Sequence, residues 1–229
     1  MAIAIGDIHG CLSTLQRLVQ RLPHNRHLVF LGDYIDRGPD SSAVISYLKT
    51  LDTLRPCTFL MGNHEKMMLR ATKHTQSINQ WLLNGGIATL TSYGISTTAW
   101  KKAENRAEFL NGHLEFFKKL KPYHEMDGHI FVHAGVDKAI DDMQQQKEET
   151  LLWIREQFFK SGKKWCGAPI VFGHTPTRLM GLTGKTIFRK ENMFGIDTGC
   201  VYGGDLTAYD TKTGTVYQQS SQSPAFTRY

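Results

Sequence analysis

Three short blocks in the first third of the chain carry side chains of the types that hold metal ions. GDIHG begins at Gly6, GDYIDRG at Gly32 and GNHE at Gly62, and each block follows directly on an apolar run. The donors that these blocks supply are Asp7, His9, Asp33 and Asn63. Carboxylate, amide and imidazole groups are hard or borderline ligands of divalent metals. The blocks therefore predict a metal-centred hydrolase rather than a binding module.

The elements that must position these donors are short buried strands. Six apolar runs lead into polar, glycine-bearing turns: Ala2–Ile5, His27–Leu31, Cys57–Met61, His129–Val132, Pro169–Phe172 and Met193–Ile196. Amphipathic helical patterns over 12–22 and 44–51 separate the first three runs, and this alternation predicts an α/β architecture. Ligands of open α/β sheets bind beyond the carboxyl ends of the strands, which is where the donors lie in every case.

Two later regions depart from this alternation. Residues 66–127, approximately, have a mostly helical pattern, which predicts a helical insertion packed beside the site. Leu206–Tyr209 and Thr215–Gln218 flank a turn with a glycine, which predicts a β-hairpin. No repeat or low-complexity tract divides the chain, so one catalytic domain over residues 1–229 is the expected organisation.

Composition excludes several classes of protein. The 229 residues are 41% apolar and 21% charged, as in an ordinary globular domain, and no apolar segment is long enough to span a membrane. The net charge of +6 comes from scattered basic residues without a nucleic-acid-binding signature. The four cysteines are widely separated and form no CxxC pair, which predicts reduced thiols and a cytoplasmic location. We expect neither a membrane nor a nucleic acid as a partner.

The ordered set GDIHG, GDYIDRG, GNHE, HAG and GHT resembles the phosphoprotein phosphatase family of dinuclear metallophosphoesterases, and in particular its small bacterial and bacteriophage-type serine/threonine branch. The resemblance covers the chain from Gly6 to at least Asp205. It implies a calcineurin-like fold, which is a central mixed β-sandwich flanked by helices. It also implies two divalent metal ions. Manganese is the expected metal, with iron or zinc as alternatives, because the ligand types alone do not select among them.

The resemblance also implies roles for individual residues at the metals. Asp7 and His9 would hold the first metal, and Asp33 would bridge both. The second metal would be completed by Asn63, His133 and His174. A hydroxide on the metals would attack phosphorus directly, without a phosphorylated enzyme intermediate.

Four further residues receive roles from the same resemblance. His64 would protonate the leaving oxygen, and Asp36 would orient that imidazole and stabilise its charge. Arg37 and Arg155 would clamp phosphate oxygens through their planar guanidinium groups. Asp197, in DTG, is expected to be structural, for example through a hydrogen bond that orients a metal-bound histidine.

The implied activity is hydrolysis of phosphoserine and phosphothreonine esters in proteins or peptides, with small phosphoesters as further substrates. A symmetrical dinucleoside tetraphosphate (diadenosine tetraphosphate) hydrolase is the alternative, because that branch shares a stretch like Gly195–Gly204. Asp36 and Glu65 depart from the usual pattern of that branch. A non-catalytic scaffold would have lost the acid or several ligands, and this chain keeps all of them.

Overall fold

Two five-stranded sheets form the centre of the computed structural model, which describes residues 1–110, 112–183, 185–223 and 225–226. In chain order the strands are β1 Ala2–Ile5, β2 His27–Phe30, β3 Cys57–Phe59, β4 Tyr123–Met126, β5 His129–Val132, β6 Ile170–Phe172, β7 Phe188–Lys190, β8 Met193–Gly195, β9 Asp205–Asp210 and β10 Val216–Ser220. All six predicted strands and both strands of the predicted hairpin are present, with ends that differ by at most two residues.

Each sheet combines parallel strands with antiparallel ones. The first has the order β10-β9-β1-β2-β3, in which β1, β2 and β3 are parallel and β9 runs against β1. The second has the order β4-β5-β6-β8-β7, in which β5, β6 and β8 are parallel and the two edge strands are antiparallel. Buried residues of both sheets, including Val29, Phe131 and Val171, pack together in one apolar cluster between them. This is the mixed β-sandwich of the predicted α/β fold.

Helices cover the outer faces of the two sheets. They are α1 Leu12–Gln20, α2 Ser41–Leu54, α3 Asn63–Lys73, α4 Ile78–Trp81, α5 Ile87–Ser92, α6 Thr97–Lys102, α7 Leu114–Lys118, α8 Glu148–Trp153 and α9 Glu156–Phe159. The largest apolar cluster joins the first sheet to α1, α2 and the helices of the insertion, with Leu15, Leu48 and Trp100 fully buried. In the part of the chain that the structure describes, no helix is both long and apolar enough to cross a bilayer.

The insertion is mostly helical, as predicted, but it differs from the prediction at its C-terminal end. There β4 pairs antiparallel with β5 and becomes an edge strand of the second sheet. The connecting turn places Asp127 at φ 50° and Gly128 at φ 72°, which is the left-handed geometry that a tight hairpin requires. The insertion therefore links the two sheets as well as lying beside the site.

Candidate active site

Nine of the ten site residues predicted from the sequence lie in the loops that follow four parallel strands or at the start of the helix after β3. Asp7 and His9 follow β1, Asp33, Asp36 and Arg37 follow β2, Asn63 and His64 open α3, His133 follows β5 and His174 follows β6. Except for Arg37, these residues are at most 5% exposed. Polar groups are buried at such cost only where they satisfy one another or bind a ligand.

Two groups of donor atoms share Asp33. Single ligand atoms of His9, Asp33 and His64 lie within 4.8 Å of one another, and the same holds for Asp33, His133 and His174. The Oδ2 atom of Asp33 is 3.4 Å from His9 Nε2, whereas its Oδ1 atom is 3.5 Å from His133 Nε2. Because the two carboxylate oxygens face different imidazoles, Asp33 has the geometry of a bridging ligand.

Asn63 and Asp7 contact members of the second group, which contains Asp33, His133 and His174. Asn63 Oδ1 lies 2.9 Å from His133 Nε2. The carboxylate of Asp7 accepts the backbone N–H of His174 at 3.1 Å, so it ties the loop after β1 to the loop after β6. Residues of both sheets thus meet at one edge of the sandwich.

The histidines are set up as neutral ligands. His9 Nδ1 lies 2.8 Å from the carbonyl oxygen of Ile35, and His133 Nδ1 lies 2.8 Å from that of Leu31. A ring nitrogen that faces a carbonyl must donate, so the lone pair of Nε2 points into the site in both residues. His174 Nε2 is buried and has no hydrogen-bond partner within the described residues. This donor set fits a pair of divalent cations.

Electrostatics favour the same protonation states. Burial, followed by the charge of Arg37, holds the pKa of His9 well below its ordinary value, and burial also lowers the pKa of His133. Burial alone would raise the pKa of Asp33, but the surrounding histidines outweigh it and keep the pKa below its usual range. The carboxylate of Asp33 is therefore ionised, and burial by itself favours the neutral forms of His9 and His133.

Backbone strain is concentrated at the same residues. Among the residues that the structure describes, seven that are not glycine have positive φ, and five of them belong to the site. These five are His9 at 45°, Asp33 at 51°, Asp36 at 72°, Arg37 at 70° and His174 at 63°. Left-handed backbone disfavours residues with a β-carbon and persists where the surroundings impose it, often at functional sites.

Asp36 and His64 form a buried hydrogen-bonded pair. His64 Nδ1 lies 2.7 Å from Asp36 Oδ2, and both side chains are at most 1% exposed. His64 Nε2 then faces the metal-ligating group, 3.9 Å from Asp33 Oδ2. With its Nδ1–H donated to a carboxylate, an imidazole can hold a proton on Nε2 and release it to a substrate oxygen.

The helical insertion supplies two donors to Asp36. Trp81 Nε1 donates to Asp36 Oδ2 at 3.0 Å, and Thr89 Oγ1 donates to Asp36 Oδ1 at 2.6 Å. Trp81 is fully buried, and its indole N–H braces the carboxylate of Asp36. Sequence reasoning missed both donors, because no motif surrounds Trp81 or Thr89.

Glu65 is a third residue whose role the sequence did not reveal. Its buried carboxylate accepts backbone N–H groups from Gly62, Asp33, Tyr34 and Ile35, at 2.8–3.2 Å. It therefore holds the loop that carries Asp33 and Asp36 against the start of α3. Its place at the end of GNHE was the available signal.

The two arginines expected to bind phosphate have different settings. The Arg37 backbone N–H donates to the carbonyl of Gly85 at 3.1 Å, and its guanidinium contacts His9 Nε2. Gly85 lies at a kink in Leu82–Gly86, between α4 and α5, where its φ of 111° interrupts the helical backbone. Arg155 is exposed at the start of α9 and donates to Thr175 Oγ1 at 3.1 Å. Both arginines line a cavity of about 390 Å³ beside His174.

Asp197 is structural, through backbone rather than histidine contacts. Its Oδ1 accepts the N–H of Gly199 at 2.9 Å, and its carbonyl accepts the N–H of Thr177 at 2.8 Å. It therefore joins the DTG loop to the loop after β6. Burial raises its pKa to about 6. All four cysteines are free thiols, as predicted.

Comparisons with known proteins agree with this geometry. The model of the calcineurin-like phosphoesterase family matches residues 2–182. Serine/threonine-protein phosphatase 1 of Salmonella typhimurium is 35% identical over 211 residues, covering 89% of this chain and 88% of its own. The asymmetrical bis(5'-nucleosyl)-tetraphosphatase PrpE of Oceanobacillus iheyensis is 29% identical over 230 residues, covering 90% of this chain and 86% of its own.

A solved structure of a cold-active protein tyrosine phosphatase superposes with a TM-score of 0.61, covering 95% of this chain and 78% of its own. Its sequence identity is 15%, so this likeness shows the fold alone.

Proposed function

Because the chain belongs to the calcineurin-like phosphoesterase family, we propose that this phosphoesterase is a metal-dependent serine/threonine protein phosphatase. The observation that carries the proposal is the buried Asp36–His64 pair, 2.7 Å apart, beside two donor groups that share Asp33. The 35% identity to a protein of that name supports the substrate class. The proposed substrates are phosphorylated proteins or peptides in the cytoplasm, together with small phosphoesters.

The proposed metal ligands are those implied by the sequence. Asp7 and His9 would hold one divalent cation, Asp33 would be shared, and Asn63, His133 and His174 would hold the other cation. Manganese is the proposed metal. Two such cations, when bound, polarise a phosphoryl oxygen and lower the pKa of a coordinated water towards neutrality. The neutral imidazoles and the ionised Asp33 described above are the protonation states that such binding needs.

The remaining residues act on the substrate. Asp36 holds His64 by Nδ1 and stabilises its positive charge, so that His64 Nε2 can deliver a proton to the departing alkoxide oxygen. Arg37 and Arg155 bind phosphate oxygens from the cavity side. A serine or threonine alkoxide is a poor leaving group, which is the case in which a positioned acid contributes most.

A dinucleoside tetraphosphate hydrolase is the second candidate. The observation in its favour is the 29% identity over 230 residues to a protein with that name. The sequence suggested the symmetrical class, whereas this relative is named asymmetrical, so the second candidate is now the asymmetrical reaction. Its substrate would also be attacked at phosphorus, so the metal-ligating group alone does not separate the two candidates.

A substrate panel on manganese-reconstituted enzyme tests the proposal. The substrates are matched peptides with phosphoserine, phosphothreonine or phosphotyrosine, p-nitrophenyl phosphate and diadenosine tetraphosphate. We expect metal-dependent phosphate release, with higher kcat/KM on the phosphoserine and phosphothreonine peptides than on the dinucleotide. A clear preference for diadenosine tetraphosphate would replace the first candidate by the second. Absence of turnover on every substrate would overturn both.

A further inference from the structure

The active-site cavity contains a third arginine that has no role in the reaction described above. Arg178 lines the cavity together with Arg37, Arg155, His174 and Tyr202, and none of the described lining residues is acidic. The volume of this cavity, about 390 Å³, lies within the range of roughly 300–1,000 Å³ that is typical of pockets for small molecules rather than single ions. Three guanidinium groups around one such cavity make it a strong attractor for anions.

The backbone that carries Arg178 is fixed at both ends. Arg178 lies in the short 3₁₀ turn Thr177–Met180, directly after the loop that carries His174. The turn begins with the N–H of Thr177 donated to the carbonyl of Asp197 at 2.8 Å. It ends at Gly181, whose φ of 83° is the left-handed conformation that glycine adopts freely. The position of Arg178 is therefore linked to the loops of the candidate active site.

Tyr202 holds the side chain of Arg178 beside the other cavity arginines. The guanidinium carbon of Arg178 is 4.6 Å from the centroid of the Tyr202 ring, and that of Arg37 is 5.5 Å from the same centroid. A cation–π contact orients a guanidinium without neutralising its charge. Its N–H groups are then available to bind a phosphate in the bidentate manner of arginine.

We propose that Arg178 binds a second phosphate group of the substrate, next to the phosphate that is hydrolysed. The proposal rests on the phosphoesterase function of the same site, in which Arg37 and Arg155 take the phosphate under attack. Arg178 would then favour substrates that carry two neighbouring phosphates over those that carry one. Such a pair can come from a phosphoanhydride or from a peptide phosphorylated at two nearby residues.

Arg178→Gln tests this proposal, with Arg189→Gln as the matched control. Arg189 is also an exposed arginine over a tyrosine ring, 5.6 Å from the centroid of Tyr209, but it lies on β7 and does not line the cavity. Calorimetry at a fixed free manganese concentration measures the Kd of pyrophosphate and of orthophosphate for the wild type and both variants. A second arm compares doubly and singly phosphorylated peptides in the same way, with all three proteins in a His64→Asn background so that the peptides are not consumed during the titration.

We expect Arg178→Gln to weaken the two-phosphate ligand relative to the one-phosphate ligand by about tenfold, the size of one charge-assisted hydrogen bond. Arg189→Gln should leave that ratio at the wild-type value. If Arg178→Gln weakens the two-phosphate ligand selectively in only one arm, the result still supports the proposed phosphate site at Arg178. The arm that changes then identifies whether the second phosphate comes from a phosphoanhydride or from a peptide. An unchanged ratio in both arms overturns the proposal, as does equal weakening of both ligands.

These binding measurements do not depend on turnover. Failure of the wild type to hydrolyse any phosphoester would count against the proposed function. An unchanged ratio of dissociation constants would count against Arg178 alone.

Discussion

The two sides of the candidate active site are built in different ways. On the side of the first sheet, Asp33, Asp36 and His64 are buried and hydrogen-bonded to one another. The backbone N–H of His64 donates to Asp33 Oδ1 at 3.1 Å, and His64 Nδ1 lies 2.7 Å from Asp36 Oδ2. On the cavity side, Arg155 and Arg178 are exposed and each rests on one or two contacts. In the proposed function, the buried side holds the groups for the reaction itself, and the open side holds the groups that select a substrate. We expect mutations on the two sides to change different kinetic constants.

Asp33→Asn should have the largest effect, because Asp33 is shared by both donor groups. An amide has one oxygen acceptor instead of two and carries no charge, so both metal sites should weaken together. The loss should exceed the roughly 10–100-fold that removal of an outer hydrogen-bond partner of a metal ligand costs. Elemental analysis after reconstitution measures this. Full occupancy by two ions would contradict the bridging role, and Asp52→Asn, on an exposed face of α2, is the control.

His64→Asn should have the second largest effect. General acid catalysis contributes about 10²–10⁴-fold, and the loss should be largest for substrates whose leaving oxygen needs a proton. We therefore expect kcat on a phosphoserine peptide to fall much more than kcat on p-nitrophenyl phosphate, with metal content retained. Equal slowing of the two substrates would remove His64 from the role of acid.

Trp81→Phe tests whether the insertion acts on the reaction through Asp36. The change keeps an aromatic ring but removes the N–H that Asp36 accepts, which should lower kcat on the phosphoserine peptide by about tenfold, the equivalent of one buried hydrogen bond. Trp100→Phe is a close control, because Trp100 packs 5.3 Å from Trp81 and its buried indole N–H has no partner among the described residues.

A purely structural role for Trp81 would lower stability in both tryptophan variants. It would leave the ratio of kcat on the phosphoserine peptide to kcat on p-nitrophenyl phosphate unchanged.

Gly85→Ala should have the smallest effect and should change KM rather than kcat. A β-carbon at Gly85 would lie 2.7 Å from Arg37 Cγ, so Arg37 must move. We expect a rise in the KM for p-nitrophenyl phosphate of several-fold, equivalent to about 1 kcal/mol of lost phosphate binding. Gly94→Ala is the matched control, because Gly94 also has positive φ but faces open space. The same KM in both variants would show that only backbone strain matters.

The buried side could be predicted from the sequence because its residues occur in contiguous motifs. Asp7, His9, Asp33, Asn63 and His64 stand at fixed spacing after apolar runs, so their meeting follows from the way parallel strands end at one edge of a sheet. His133 and His174 follow the same rule in the second sheet. Manganese, the individual ligand roles and the single-domain organisation remain proposals.

The supporting residues could not be predicted in this way. Trp81 and Thr89 reach Asp36 across 45 and 53 positions of the chain, and no local pattern marks either as a partner of a carboxylate. The histidine partner predicted for Asp197 is not among the described hydrogen bonds, in which its side chain accepts the backbone N–H of Gly199.

The types and order of the metal-binding and proton-donating groups were determined by the sequence alone, because strand alternation and short glycine-bearing turns are local properties. Tertiary structure decided how these groups are held. It packs the insertion against Asp36, and it brings four backbone N–H groups to the carboxylate of Glu65. It also places the guanidinium groups of Arg178 and Arg37 over the same ring, that of Tyr202. Contacts between distant segments depend on how the two sheets and the insertion pack, and packing is a property of the whole chain.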